Sequence, residues 1–222
     1  MSEEIAVNDS FLDAFPTEYT NEFWNTLRKK ASEKRVPIHG HFELTPRCNF
    51  NCKMCYVHLS GDQLTTSELS FEQWVEIIDG AIENGMIFAS ITGGECLLVP
   101  YFDELYLYLK SRGVLIFVLT NGFLLDRKAE LFAKHPPAHI QVSVYGWDET
   151  TYRNVTERTA YTKVIENIKM IHDLGISISV AVTASKYLPS VYRIVKMFYD
   201  MDIGVTVSKW LIPPYDSTGR KL

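Results

Sequence analysis

Cys48-Asn49-Phe50-Asn51-Cys52-Lys53-Met54-Cys55 is the stretch on which the reading of this chain turns, three of its four cysteines standing in a C-x3-C-x2-C run. A structural zinc site closes with four ligands, and no C-x2-C pair of pairs or trailing histidine at finger spacing accompanies the run. The pattern fits an iron-sulfur ligand set with one ligand missing. Such clusters are ordinarily held by four cysteines, so three would leave one iron open to a small molecule. Two plainer readings stay open at this point: a set of buried reduced cysteines, or a zinc site completed by His41 or His58.

Working outward, the 222 residues, 46% of them hydrophobic, suffice for one substantial core and suggest one domain rather than two. A formal charge of -5 argues against a general nucleic-acid binder, whose footprint would be basic. No apolar run approaches membrane-spanning length, and the acidic start Met1-Ser2-Glu3-Glu4 lacks the basic and apolar regions of a signal peptide. No membrane partner is expected, and the protein reads as cytoplasmic. Clustered cysteines with Cys96 apart from them suit a reducing compartment better than a disulfide framework.

Residues 1–37 form an N-terminal extension with Phe11, Phe15, Tyr19, Phe23, Trp24 and Leu27, several at helical spacing, expected to cap a core. From residue 38 short apolar runs alternate with longer amphipathic ones. Strands are expected over 41–46, 87–92, 114–120, 139–145, 177–184 and 204–211. Helices are expected over 70–84, 101–112, 126–134, 161–174 and 190–201. The first of these is the best marked: Ser70 with Gln73 forms a capping box, Trp74, Ile77, Ile78, Ala81 and Ile82 form a buried face, and Gly85 stops it. The apolar strands predict an all-parallel α/β sheet covered on its outer face by helices, with any chemistry in the loops at the carboxyl ends of the strands.

The cysteine run resembles that of the radical S-adenosylmethionine (radical SAM) enzymes, and the resemblance covers residues 38 to 211 with its motifs in order. It implies a partial (β/α)6 barrel of the TIM type, with Cys48, Cys52 and Cys55 as ligands of a 4Fe-4S cluster. In that family S-adenosylmethionine (SAM) binds the open iron and is cleaved reductively to a 5'-deoxyadenosyl radical that abstracts hydrogen from substrate. Met54 stands where the family usually has an aromatic residue and can still cover a cluster face.

Thr92-Gly93-Gly94-Glu95 matches the family's GGE motif. The glycines allow close backbone approach to a ligand, and a carboxylate at a strand end can pair with the SAM ammonium. Cys96 follows where relatives have proline, and reads as a small buried residue. Thr120-Asn121-Gly122 resembles the family's TNG turn. Ser143, in Gln141-Val142-Ser143-Val144-Tyr145-Gly146, matches a serine that contacts SAM, with Gln141 on the same face. Of Arg153 and Arg158, Arg158 is the preferred counterpart of an arginine placed against the SAM carboxylate; Lys209 is a further polar residue near a strand end. Val180-Ala181-Val182 would lie under the adenine. The segments from Ser143 to Tyr152 and from Val164 to Ile168 resemble the peptide-modifying, SPASM/twitch-type maturases. A peptide or protein substrate and an external electron donor of flavodoxin or ferredoxin type are therefore expected. All four cysteines lie between 48 and 96, so the auxiliary-cluster domain of those relatives is lacking and residues 38–222 read as a core truncated at its C-terminal end. Radical modification of a small molecule and a non-catalytic iron-sulfur or zinc-binding fragment are the alternatives.

Overall fold

The computed structural model describes residues 21–57 and 68–209. Phe11, Phe15, Tyr19 and His58 lie outside them, as does the end of the expected sixth strand. A helix, α1 (Asn21–Lys34), leads into β1 (His39–Glu43). There follow α2 (Phe71–Glu83), β2 (Phe88–Thr92), α3 (Phe102–Ser111), β3 (Leu115–Thr120) and α4 (Ala129–Lys134), the last preceded by a 3-10 turn at Leu125–Lys128. The chain continues through β4 (His139–Ser143), α5 (Glu149–Thr156), α6 (Tyr161–Asp173), β5 (Ile178–Thr183), α7 (Val191–Tyr199) and β6 (Gly204–Ser208). All six strands pair in parallel, in sequential order, with β1 and β6 as the edges. This is the partial TIM-like barrel expected from the β-α repeats.

Local chemistry explains the boundaries. Ser70 accepts from the Gln73 N–H while the Gln73 side chain returns to Ser70, so both ends of the capping box are closed at the start of α2. Gly85, at φ +104, makes the turn that ends it. Ile77 differs from expectation: it falls on the flank of the apolar stripe and is exposed, while Trp74 and Ile78 carry the buried face. Helix α5 was not expected from the sequence, being only eight residues long, yet Asp148 and Thr151 cap it reciprocally.

The strands are less uniformly apolar than a buried parallel sheet requires. Phe42, Ala89, Ile91, Ile116, Val118, Ile140, Val142, Val180 and Val182 face the helices in one core. The alternate residues, including His41, Glu43, Ser90, Thr92, Gln141, Ser143, Ser179, Thr183, Thr206 and Ser208, share the other face, as the register requires. One face is therefore core and the other a polar trough. Val180 and Val182 belong to the core, so only Ala181 of that segment faces the trough. Behind the sheet, Phe102, Tyr106 and Phe132 interlock with ring centroids 5.3 to 6.4 Å apart. Each is fully buried, worth roughly 2–3 kcal/mol of transfer free energy.

At the amino ends of the strands the trough is stopped by a separate cluster of Trp24 from α1 with Phe88 and Phe117. His39 lies edge-on to Phe88, ring centroids 6.4 Å apart. The N-terminal helix thus caps a core, as its aromatic spacing suggests.

Candidate functional site

The loop after β1 carries the three cysteines and is pinned from two sides. On one side Asn51 N–H donates to Thr156 O (3.1 Å) and Lys53 N–H to Val155 O (3.0 Å), so the loop hangs on the last turn of α5. Phe50 is inserted between Phe123 and Tyr152, with centroid separations of 5.9 and 6.1 Å. On the other side Arg47 makes a two-pronged ion pair with Glu68 (2.8 and 2.7 Å), and the Thr45 hydroxyl donates to the same carboxylate. A loop held at both shoulders presents its side chains in a fixed direction, which a ligand set needs.

The loop after β2 packs directly onto this one. Gly94 N–H donates to Thr45 O (2.6 Å) and Glu95 N–H to Arg47 O (2.8 Å). A Cβ at Gly93, where φ is +145, would stand 2.5 Å from Thr45 O, and one at Gly94 would stand 2.4 Å from Arg47 O. Both glycines are thus required by backbone meeting backbone, besides whatever ligand they approach.

Between these loops and the carboxyl ends of β3, β4 and β5 lies a cavity of about 300 Å³. Cys48, Cys52, Cys55, Gly93, Gly94 and Ser143 all line it, so one space collects most of the residues singled out from the sequence. Thr120, Asn121 and Gln141 line it too, and Met54 stands beside the cysteines as a buried apolar wall. Sequence reasoning did not single out Phe50, Val57, Leu119 or Thr183. Leu119 pairs in register with Gln141, so carrying the two-residue alternation across to the neighbouring strand would have found it.

Glu95, expected to meet SAM, does not line the cavity. It is 1% exposed, and its carboxylate accepts from Asn121 N–H (2.7 Å), the Thr120 hydroxyl (2.8 Å) and Leu97 N–H (3.1 Å). Burial pushes its pKa up and these donors oppose the shift. Its visible task is to hold the Thr120-Asn121 turn against the cysteine loop. Arg158 also stands off the cavity, exposed on the loop after α5, and Arg153 and Lys209 are exposed as well. Cys96 is fully buried with its Sγ 3.5 Å from Leu119 O, a small core residue as expected.

The electrostatics suit a ligand set that must be deprotonated to bind. Burial of the sulfur pushes the Cys48 thiol up to about 11, with the neighbouring Phe50 N–H acting against it, and burial raises Cys52 further. Metal loading therefore releases protons. Two buried donors have no partner among the described residues, the Asn49 Nδ2 and the Tyr152 hydroxyl. Asn49 adjoins Cys48, and Tyr152 lies within electrostatic reach of Cys52. Unsatisfied donors beside the thiol loop fit an anionic group bound there. Among the described residues no three His, Cys, Asp or Glu side chains gather around a single point. A cluster does not ask for that, since each thiolate takes its own iron.

Comparison with known proteins bears on the same residues. Residues 42–186 match the Radical SAM superfamily. The chain belongs to that superfamily. Radical SAM proteins use a 4Fe-4S cluster and SAM, and the cavity described here fits both. The chain is 31% identical over 158 residues, 69% of its length, to the antilisterial bacteriocin subtilosin biosynthesis protein AlbA of Bacillus subtilis, covering 34% of AlbA. It is 28% identical over 152 residues, 68% of its length, to the sporulation killing factor maturation protein SkfB of the same organism, covering 37% of that protein. The chain thus spans about a third of the length of these curated relatives. The crystal structure of Streptococcus suis SuiB bound to S-adenosylmethionine shares the fold, with a TM-score of 0.68 at 18% identity over 89% of this chain and 50% of SuiB. No helix among the described residues is long and apolar enough to cross a membrane.

Proposed function

We propose that this chain is the cluster- and SAM-binding core of a radical enzyme that modifies a peptide. The observation that carries this reading is that Cys48, Cys52 and Cys55 share one cavity with Gly93, Gly94 and Ser143 at the carboxyl ends of the strands. Cys48, Cys52 and Cys55 hold the 4Fe-4S cluster. Gly93 and Gly94 offer backbone groups to the SAM amino acid, and Ser143 and Gln141 offer side chains to the rest of the cofactor. When bound, cluster and SAM supply reductive cleavage of SAM and hydrogen abstraction from the substrate. The protein's part is to orient the cofactor and exclude water, which Phe50, Met54, Val57 and Leu119 do from the apolar side. The polar trough, with His41 and Glu43 exposed at the β1 edge, gives a substrate lateral access to the cavity. Peptide as substrate class is supported by the similarity to AlbA and SkfB, and the electron comes from an external flavodoxin- or ferredoxin-type donor.

The test is anaerobic reconstitution with iron and sulfide, then incubation with SAM and dithionite and chromatographic assay for 5'-deoxyadenosine. The wild type forms it, and a chain carrying Cys48→Ala, Cys52→Ala and Cys55→Ala does not. Zinc in place of iron, or no 5'-deoxyadenosine from a fully iron-loaded chain, would overturn the reading. Candidate peptides encoded beside the gene are then screened for a mass change that depends on SAM.

A further inference from the structure

We infer that Asn121 is a positioning residue for the cluster, its carboxamide holding the Cys48 sulfur by a hydrogen bond and thereby setting the cluster's reduction potential. The inference rests on the assignment of Cys48 as a cluster ligand. Asn121 is 8% exposed and follows β3 directly, where the turn meets the cysteine loop. Its Nδ2 lies 3.6 Å from Cys48 Sγ and 2.7 Å from Asn49 Oδ1, which uses both of its N–H donors. Its Oδ1 accepts from Phe123 N–H at 3.0 Å. That last contact decides the orientation of the amide: turned over, Nδ2 would face the Phe123 N–H and Oδ1 would face Asn49 Oδ1, two repulsive contacts in place of two bonds. The nitrogen must therefore point at the sulfur.

The backbone is held as firmly as the side chain. Asn121 N–H donates to Glu95 Oε2 at 2.7 Å and the Thr120 hydroxyl to Glu95 Oε1 at 2.8 Å. The buried carboxylate of the Gly-Gly-Glu loop fixes the turn, the turn aims the amide, and the amide meets the first cysteine. Cys48 Sγ also receives Phe50 N–H at 3.4 Å, so two N–H donors converge on it. Donors to a cluster sulfur stabilise the more negative, reduced state and move the potential up.

The experiment compares reconstituted wild type with Asn121→Ala and with Asn121→Asp, which keeps the shape and removes the donor. Iron per chain is counted, and the midpoint potential is read by redox titration followed by electron paramagnetic resonance. Both variants should load iron as the wild type does and titrate at a more negative potential. At the wild-type midpoint their reduced fraction should fall several-fold. Wild type labelled with 15N at asparagine side-chain amides should show a 15N coupling to the reduced cluster that Asn121→Ala loses. Iron-loaded variants with the wild-type potential, or a labelled wild type without that coupling, would overturn the inference. A wild type that takes up no iron would instead overturn the assignment of the cysteines themselves.

Discussion

The two ends of the parallel sheet are built from the same strands and solve opposite problems. At the amino ends, Trp24, Phe88 and Phe117 close the trough with rings about the α1 helix, and His39 and His139 fill the remaining space. His139 is bracketed by the hydroxyls of Ser177 and Ser179 at 2.8 and 2.7 Å, and burial lowers its pKa to about 4. At the carboxyl ends, the strands stop short and the loops hold three free thiols, two glycines and a set of hydroxyls and amides around a cavity. The first end satisfies its polar groups internally. The second leaves donors such as the Asn49 amide without a protein partner. The difference marks the amino end as structural and the carboxyl end as the place for ligands.

The contrast can be broken by mutation at either end. The largest effect is expected at the thiols: replacing Cys48, Cys52 and Cys55 together by alanine should abolish iron uptake while changing the unfolding free energy of the metal-free protein by only about 1 kcal/mol per site. Chemical denaturation beside an iron assay separates the two. At the other end Phe88→Ala should cost about 3–5 kcal/mol of stability through the cavity it leaves, yet bind iron at full stoichiometry below its unfolding temperature. A Phe88→Ala chain that is stable but iron-free would erase the distinction between the ends.

A pH effect belongs to the amino end alone. The folded His139 value lies below that of the unfolded chain, so the unfolded state takes the proton first. The stabilisation is full above about pH 6.5 and is lost as the pH falls toward about 4, by an amount on the order of 2–3 kcal/mol. His39, lowered chiefly by burial as well, adds in the same direction. Denaturation curves of wild type and His139→Gln across that range should converge at low pH. Parallel curves would show that His139 is not held neutral. The smallest effect is expected at Ser143→Ala, which removes one hydroxyl from the cavity wall and should weaken SAM binding about tenfold, close to 1.4 kcal/mol, with stability unchanged. Equilibrium dialysis with labelled SAM measures it.

How much of this was legible in the sequence follows the same division. The strands and most helices could be placed because caps and glycine stops such as Ser70, Gln73 and Gly85 act locally. The cysteines and Gly93-Gly94 could be placed because their spacing is itself the chemistry. Helix α5 escaped because eight residues give little periodicity, although the Asp148 and Thr151 cap was there to be read. Glu95 shows the other limit. Sequence places a carboxylate at a strand end and not its direction, which here is decided by three donors from a turn twenty-five residues away. Arg158 fails to reach the cavity for a related reason: Glu157, at φ 55, turns the chain outward after α5 and leaves the arginine exposed.

The central claim is that the carboxyl end holds a cluster with one iron free for SAM. Mössbauer spectroscopy of the 57Fe-reconstituted wild type, recorded before and after addition of SAM, tests it most directly. One iron site of the four should change its isomer shift when SAM binds, the other three remaining as cysteine-bound iron-sulfur sites. A spectrum that SAM leaves untouched, with every iron already coordinatively complete, would contradict it.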